Sequence, residues 1–232
     1  MYNLYIANKN YSSWSLRPWV LLSELGIEFV EHMNFFKGGY GKNTEFLKFS
    51  PTGLVPCLVE HSVTVWDSLA IAEYVYEQHP SVWPKDRAAR AWARSAAAEM
   101  HSGFSAIRNV CSMNCGVRIK LREVTPALQK DLDRLEALWQ EGLKRYGGPY
   151  LAGDKFTAVD AFFCPVAFRV RSYGLKLSPK SAAYVERLLD MESMQNWYAA
   201  ALAEKARDPD HEAELEVAGD LIADYRAQPE SV

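Results

Sequence analysis

Long apolar runs are what this 232-residue sequence most plainly lacks. No stretch approaches the ~20 consecutive apolar residues that cross a bilayer, so a membrane-spanning role is not expected. Met1 leads into a strand-like run without a basic or apolar leader, and no signal peptide is expected. Charge of one sign is equally scarce: 26 Lys+Arg against 29 Asp+Glu leave a formal net charge of -3. That balance gives no footprint for nucleic acid. Cysteine is sparse and scattered, at Cys57, Cys111, Cys115 and Cys164. Cys111 and Cys115 would share a helical face, but no histidine or further cysteine adds metal-ligand spacing, so no metal is expected. Buried thiols of this kind suit a reducing compartment, and the chain is expected in the cytoplasm.

What is present is enough for a packed core, with 49% hydrophobic residues and 12% aromatic. The length allows one large domain or two small ones. The charge is uneven, because acids crowd into residues 208–232 and leave the preceding body mildly cationic.

The most informative stretch runs from Ser50 to Tyr76. Cys57–Glu60 and Val63–Trp66 are β-rich runs joined by the polar turn His61-Ser62, which predicts a hairpin. Pro56 stands where a strand begins, since proline cannot donate to a ladder. The second run passes into a helix through Asp67-Ser68. A helix start offers unpaired N–H groups and a positive dipole end, so Ser68 can hold a carboxylate while Asp67 pairs with an ammonium. Together they suit an α-amino acid headgroup. A cis Val55-Pro56 bond would turn the Val55 backbone toward an extended ligand, as an edge strand presents itself. The plainer alternative makes Asp67 an ordinary N-cap and Pro56 a strand starter.

Upstream, Tyr2–Ala7 reads as a strand, followed by the polar loop Asn8–Ser13. A helix that ends at Gly26 is next, and Pro18 in its first turn predicts a start near Leu16 or Arg17. Glu28–Asn34 reads as a second strand. The β-α-β opening implies a parallel pair, and the hairpin adds antiparallel strands: a four-stranded mixed sheet with helices, the thioredoxin-like arrangement. The first loop carries Ser12 and Ser13 where a cysteine pair would signal thiol–disulfide chemistry. Serine cannot attack a disulfide, but its hydroxyl can donate a hydrogen bond to a thiolate brought by a ligand.

His79–Pro84 breaks the helical pattern twice with proline and reads as a linker. Beyond it no strand is expected. Asp86–Cys111 reads as one alanine-rich helix and Thr125–Tyr146 as another, bounded by Thr125-Pro126 and Gly147-Gly148-Pro149. Thr157 with Asp160 forms a capping-box pattern at the start of an apolar helix over Ala158–Tyr173, with Asp replacing the usual Glu or Gln. Leu215, Ala218, Ile222 and Tyr225 fit one further amphipathic helix. The expected division is 1–79 for the thioredoxin-like domain, 80–86 for the linker and 87–232 for an all-helical domain.

The series Ser12-Ser13-Trp14-Ser15-Leu16-Arg17, Leu54-Val55-Pro56 and Asp67-Ser68-Leu69-Ala70-Ile71 resembles the cytosolic glutathione transferases, nearest the zeta-like serine class. The resemblance runs from Tyr2 to roughly Arg207. The zeta pattern has a cysteine where this chain has Trp14, and an arginine-rich helix start where it has Leu16-Arg17-Pro18. The resemblance implies an enzyme that binds glutathione as co-substrate, with Ser12 bonding the sulfur. Val55 beside Pro56 would pair with the cysteinyl backbone, and Asp67 and Ser68 would hold the γ-glutamyl headgroup. Ser13, Trp14 and Lys42 complete the implied glutathione set, and Arg17 adds positive field or pairs with a surface acid. His101, Met113 and Asn114 would face a small electrophile between the domains. The implied outcome is conjugation, cis–trans isomerisation or dehalogenation, by a homodimer. The alternative is a transferase-like fold that binds glutathione without turnover.

Overall fold

The computed structural model describes residues 1–38 and 44–227. Strand β1 (Tyr2–Ile6), helix α1 (Ser13–Glu24) and strand β2 (Phe29–Met33) open the chain, followed by the hairpin of β3 (Cys57–Glu60) and β4 (Val63–Trp66) and by α2 (Ser68–Tyr76). The sheet order is β2-β1-β3-β4. β1 runs parallel to β2 and antiparallel to β3, and β3 pairs antiparallel with β4, as the alternation of elements demands. The Val55-Pro56 bond that leads into β3 is cis.

Helix α1 begins earlier than Pro18 suggested. Ser12 is its N-cap, accepting from Ser15 N, so Pro18 lies inside the helix and not in its first turn. The cap outweighs the proline. The cost is the single i−4 bond that Pro18 cannot donate to Trp14.

The remainder is mainly helical: α3 (Arg87–Ser102), α4 (Ser105–Val110), α5 (Pro126–Arg145), α6 (Ala158–Tyr173), α7 (Pro179–Asp190), α8 (Glu192–Ala203) and α9 (Pro209–Ala218). Two strands were not expected. β5 (Val117–Leu121) and β6 (Gly219–Asp224) form an antiparallel ribbon. The tail is thus a short helix followed by a strand, not one amphipathic helix. Gly219 lets the turn happen, because a Cβ there would stand 2.1 Å from the Lys120 carbonyl. The helix expected over Asp86–Cys111 is also two helices. Gly103 is extended, Phe104 is left-handed at φ 53°, and the Asp131 carboxylate on α5 accepts the Ala106 and Ile107 N–H groups that start α4.

The core centres on α6, which is buried along nearly its whole length and packs against α1, α3, α7 and β5. The expected capping box is present. Asp160 accepts from Thr157 N (3.0 Å), Leu151 N (3.0 Å) and Tyr184 Oη (2.8 Å). Burial pushes its carboxyl up to about 6 against the pull of those hydrogen bonds. Asp160→Ala leaves three buried donors unpaired, each costing ~1–3 kcal/mol. We expect a loss of roughly 3 kcal/mol or more in urea denaturation; a loss below about 1 kcal/mol would contradict this role.

Candidate functional site

One cavity of about 830 Å³ opens where the sheet end of the first eighty residues meets the helical part. Ser12, Ser13, Trp14, Val55, Pro56, Asp67 and Ser68 line it from the first eighty residues, and Arg108, Met113, Arg169, Asp208 and His211 line it from the rest of the chain. The volume falls within the usual ~300–1,000 Å³ of small-molecule sites.

The α2 end is built on strain. Asp67 takes φ 74°, a costly conformation for a residue with a Cβ, which is typical of ligand-holding positions. Its Oδ1 accepts from Leu69 N (2.8 Å) and its Oδ2 lies 3.4 Å from His101 Nε2. Asp67 is therefore an N-cap and also half-exposed at the cavity. Ser68 is buried, and its hydroxyl accepts from Arg17 Nη1 at 3.4 Å.

Arg17 lies fully buried behind this wall. Its guanidinium stacks on Trp14 (4.1 Å to the ring centroid) and Phe162 (4.9 Å). Burial lowers its pKa to about 9, helped by Arg169 and Arg108 and opposed by Asp67. It remains a cation at neutral pH. Arg17 is an interior charge and not a partner for a surface acid.

Ser12 Oγ donates to Ser15 Oγ (2.7 Å) and accepts from Ser15 N (3.4 Å), while Ser15 Oγ accepts from Ala7 N (3.2 Å). Ser15 is fully buried. This chain of hydroxyls reverses by proton rotation alone. When Ser15 donates to Ser12, the Ser12 hydroxyl proton is released toward the cavity. No backbone hydrogen bond occupies the Val55 N–H or C=O among the described residues.

Of the residues expected for an electrophile, Met113 lines the cavity, whereas His101 and Asn114 do not. His101 stands behind Asp67, edge-on to Trp14. Asn114 is buried in a structural turn, where its carbonyl accepts from Ser172 Oγ and its side chain from Gly116 N. Lys42 lies outside the described residues.

Sequence reading missed the opposite wall. Arg169 is buried, donates from Nε to the Cys111 carbonyl (2.7 Å), and keeps a buried Nη1 with no partner among the described residues. Burial lowers its pKa to about 10. Arg108 donates to the His101 carbonyl (3.1 Å). The available signal was a charge in an apolar stripe, because Phe162, Val166, Arg169 and Tyr173 recur at i, i+4, i+7 and i+11 on α6. His211 and Asp208 were hidden inside the acidic stretch 208–232, where neither stood out as a site residue. No group of three or more potential metal ligands occurs among the described residues. No described helix is long and apolar enough to cross a membrane.

A mixed sheet in thioredoxin-like order, joined to a helical unit across a ligand cavity, defines the class. The descriptions "Glutathione S-transferase, N-terminal domain" and "Glutathione S-transferase, C-terminal domain" match residues 11–78 and 120–200. Glutathione S-transferase 1 of Dianthus caryophyllus is 30% identical over 75% of this chain and 80% of its own. Maleylacetoacetate isomerase of Rattus norvegicus is 27% identical over 91% and 96%. A Burkholderia glutathione transferase homologue, solved with bound glutathione, superposes with a TM-score of 0.64 at 25% identity, covering 86% of this chain and 97% of that one. The chain belongs to the glutathione S-transferase family.

Burial holds His101 below the ordinary imidazole range; Asp67 raises it, and Arg17 and Arg108 lower it further. A proton NMR titration should therefore place His101 below ~6.5. Asp67→Asn should lower it again, since it removes the carboxylate that attracts the proton. An unchanged midpoint in that variant would show that the two side chains are not coupled.

Proposed function

We propose that this protein is a glutathione transferase that activates the glutathione thiol through Ser12 and adds it to a small acidic electrophile. The observation that carries the reading is the meeting, on one cavity wall, of the Ser12 hydroxyl, the Val55 backbone beside cis-Pro56, and the Asp67–Ser68 helix start. That wall matches an extended γ-glutamyl tripeptide from headgroup to sulfur. Asp67 takes the ammonium. Ser68 and the α2 N–H groups take the neighbouring carboxylate, and the Val55 backbone takes the cysteinyl amide. Ser13 and Trp14 bound the sulfur end. In this reading residues 1–79 bind glutathione, 80–86 connect, and 87–232 supply the second wall.

A free thiol has a pKa of ~8.5, so few molecules are thiolate at neutral pH. The thiolate is the nucleophile. Three features of this wall favour it. The relay from Ala7 N–H through Ser15 to Ser12 directs a hydroxyl proton at the sulfur, and each donor in such a chain polarises the next. The N-terminus of α1 adds a positive dipole end. Arg17 adds a full charge behind the wall.

The opposite wall selects the electrophile. Arg108 and Arg169 face the cavity, and Arg169 holds an unpaired buried N–H. A buried guanidinium whose Nη1 has no partner among the described residues favours an anionic group on the second substrate. A conjugated acid fits: thiolate adds to the alkene, and the adduct is either kept or reverts after bond rotation, giving conjugation or isomerisation. The rat isomerase among the relatives supports this class. The four cysteines are free and buried, which suits a cytoplasmic setting, and the reading includes a two-fold dimer.

The test is Ser12→Ala assayed with glutathione and an acidic conjugated alkene. One charge-assisted hydrogen bond is worth ~1.5–3 kcal/mol, so turnover at neutral pH should fall roughly tenfold to a hundredfold. The deficit should shrink as pH approaches ~8.5, where solvent supplies the thiolate. A pH-independent deficit would remove Ser12 from thiol activation. Glutathione binding without turnover of any electrophile by the unaltered protein would favour a binding protein instead.

A further inference from the structure

Helix α9 and strand β6 lie beyond both stretches that match the family, yet they bring Asp208 and His211 to the cavity wall. His211 is held on three sides. Its Nδ1 is 2.5 Å from Asp208 Oδ2, and its ring lies between Tyr11 (4.9 Å, 22°) and Phe36 (5.1 Å, 21°). Those two rings come from the loop before Ser12 and the loop after β2. Asp208 is itself fixed: its side chain is 2% exposed, its Oδ1 accepts from Gly38 N (3.2 Å), and it caps α9. Beside this pair, Arg226 clamps the tail to the same loop through Glu212, Asp224 and the Tyr11 hydroxyl. A solvated tail would need none of these contacts.

The arrangement is a carboxylate–imidazole dyad at a ligand cavity. A buried carboxylate beside Nδ1 sets the imidazole's orientation and tautomer. Imidazole is also the side chain that exchanges protons most readily near neutral pH. The transferase reading, on which this inference rests, leaves one proton transfer unassigned. When a thiolate adds to a conjugated alkene, the sulfur lone pair forms the C–S bond. The C=C π pair then moves onto the α-carbon and its carbonyl, and that carbanion must take a proton.

We propose that His211, oriented by Asp208, is the acid that protonates the electrophile after sulfur attack. Nε2–H gives its proton to the enolate, and the C–H or O–H bond replaces N–H. The neutral imidazole is reprotonated by solvent, which had received the thiol proton when the thiolate formed. Atoms and charge balance without any further reactant. Ser12 serves the sulfur and His211 serves the carbon skeleton, and both line one cavity. Tyr11 links them: it is bonded to Ser12 and stacked on His211.

Two electrophiles separate this role from a structural one. An acidic α,β-unsaturated ketone needs a proton on the adduct, whereas 1-chloro-2,4-dinitrobenzene loses chloride and needs none. His211→Gln and His211→Phe are compared with the unaltered protein; Phe keeps the three-ring stack. General acid catalysis contributes ~10²–10⁴-fold, so kcat on the ketone should fall about a hundredfold or more in both variants. The loss on the aryl chloride should be at least about tenfold smaller than the loss on the ketone in both variants. Asp208→Asn, which keeps the cap, should show the same split to a smaller degree. Equal losses on both electrophiles, or a rise confined to the KM for glutathione, would overturn the proposal and make His211 a wall or a glutathione contact. If the unaltered protein turns over neither electrophile, the transferase reading fails, and this role fails with it.

Discussion

The hydroxyl of Ser12 closes the first turn of α1, and most of the site depends on that bond. It fixes the helix start five residues ahead of Pro18, so that the positive end of α1 lies at the end of the sheet. One turn on, it places Ser15 where a buried hydroxyl can join Ser12 to the Ala7 N–H. The same start directs Arg17 inward, between Trp14 and Phe162, with its Nη1 toward Ser68. A start at Leu16, as Pro18 alone would suggest, would leave Ser12 in a loop without this backing. In the proposed role the cap uses a lone pair of this oxygen and the sulfur takes its proton, which reversal of the Ser12–Ser15 pair would free.

Three guanidiniums, Arg17, Arg108 and Arg169, gather around this cavity and lower one another's proton affinity. Burying cations without close carboxylates is unfavourable, because desolvation is not offset by pairing. The fold tolerates it through ring stacking, carbonyl acceptors and the rigidity of α6, which Asp160 anchors at its N-terminus. The result is an interior field suited to anions, as the proposed thiolate and acidic electrophile require. The strain at Asp67 fits that proposal, since stability is commonly given up where a ligand is held.

How much of this was legible in the sequence differs from element to element. The mixed sheet and the Asp67–Ser68 helix start follow from local signals, namely alternation in the hairpin and a cap before an apolar helix. The Thr157–Asp160 box likewise needs only four residues to read. The break at Gly103 was not read from the sequence, because the decisive contact is Asp131, on another helix. The β5–β6 ribbon was hidden for a similar reason: its partners lie about a hundred residues apart, and Gly219 acts only once Lys120 is beside it. In the cavity, the lining residues Ser12, Val55-Pro56 and Asp67-Ser68, which the proposal assigns to glutathione, were visible as short motifs. The cationic wall and the His211–Asp208 pair depend on tertiary meeting, and only the charge at Arg169 within an apolar stripe announced it.

The central claim is that this cavity holds glutathione as a thiolate at neutral pH. The most direct measurement is a difference-absorbance titration of the thiolate in the complex of the unaltered protein with glutathione. The account predicts a bound-thiol pKa at least about one unit below the free value of ~8.5. A bound thiol that titrates at the free value would contradict it.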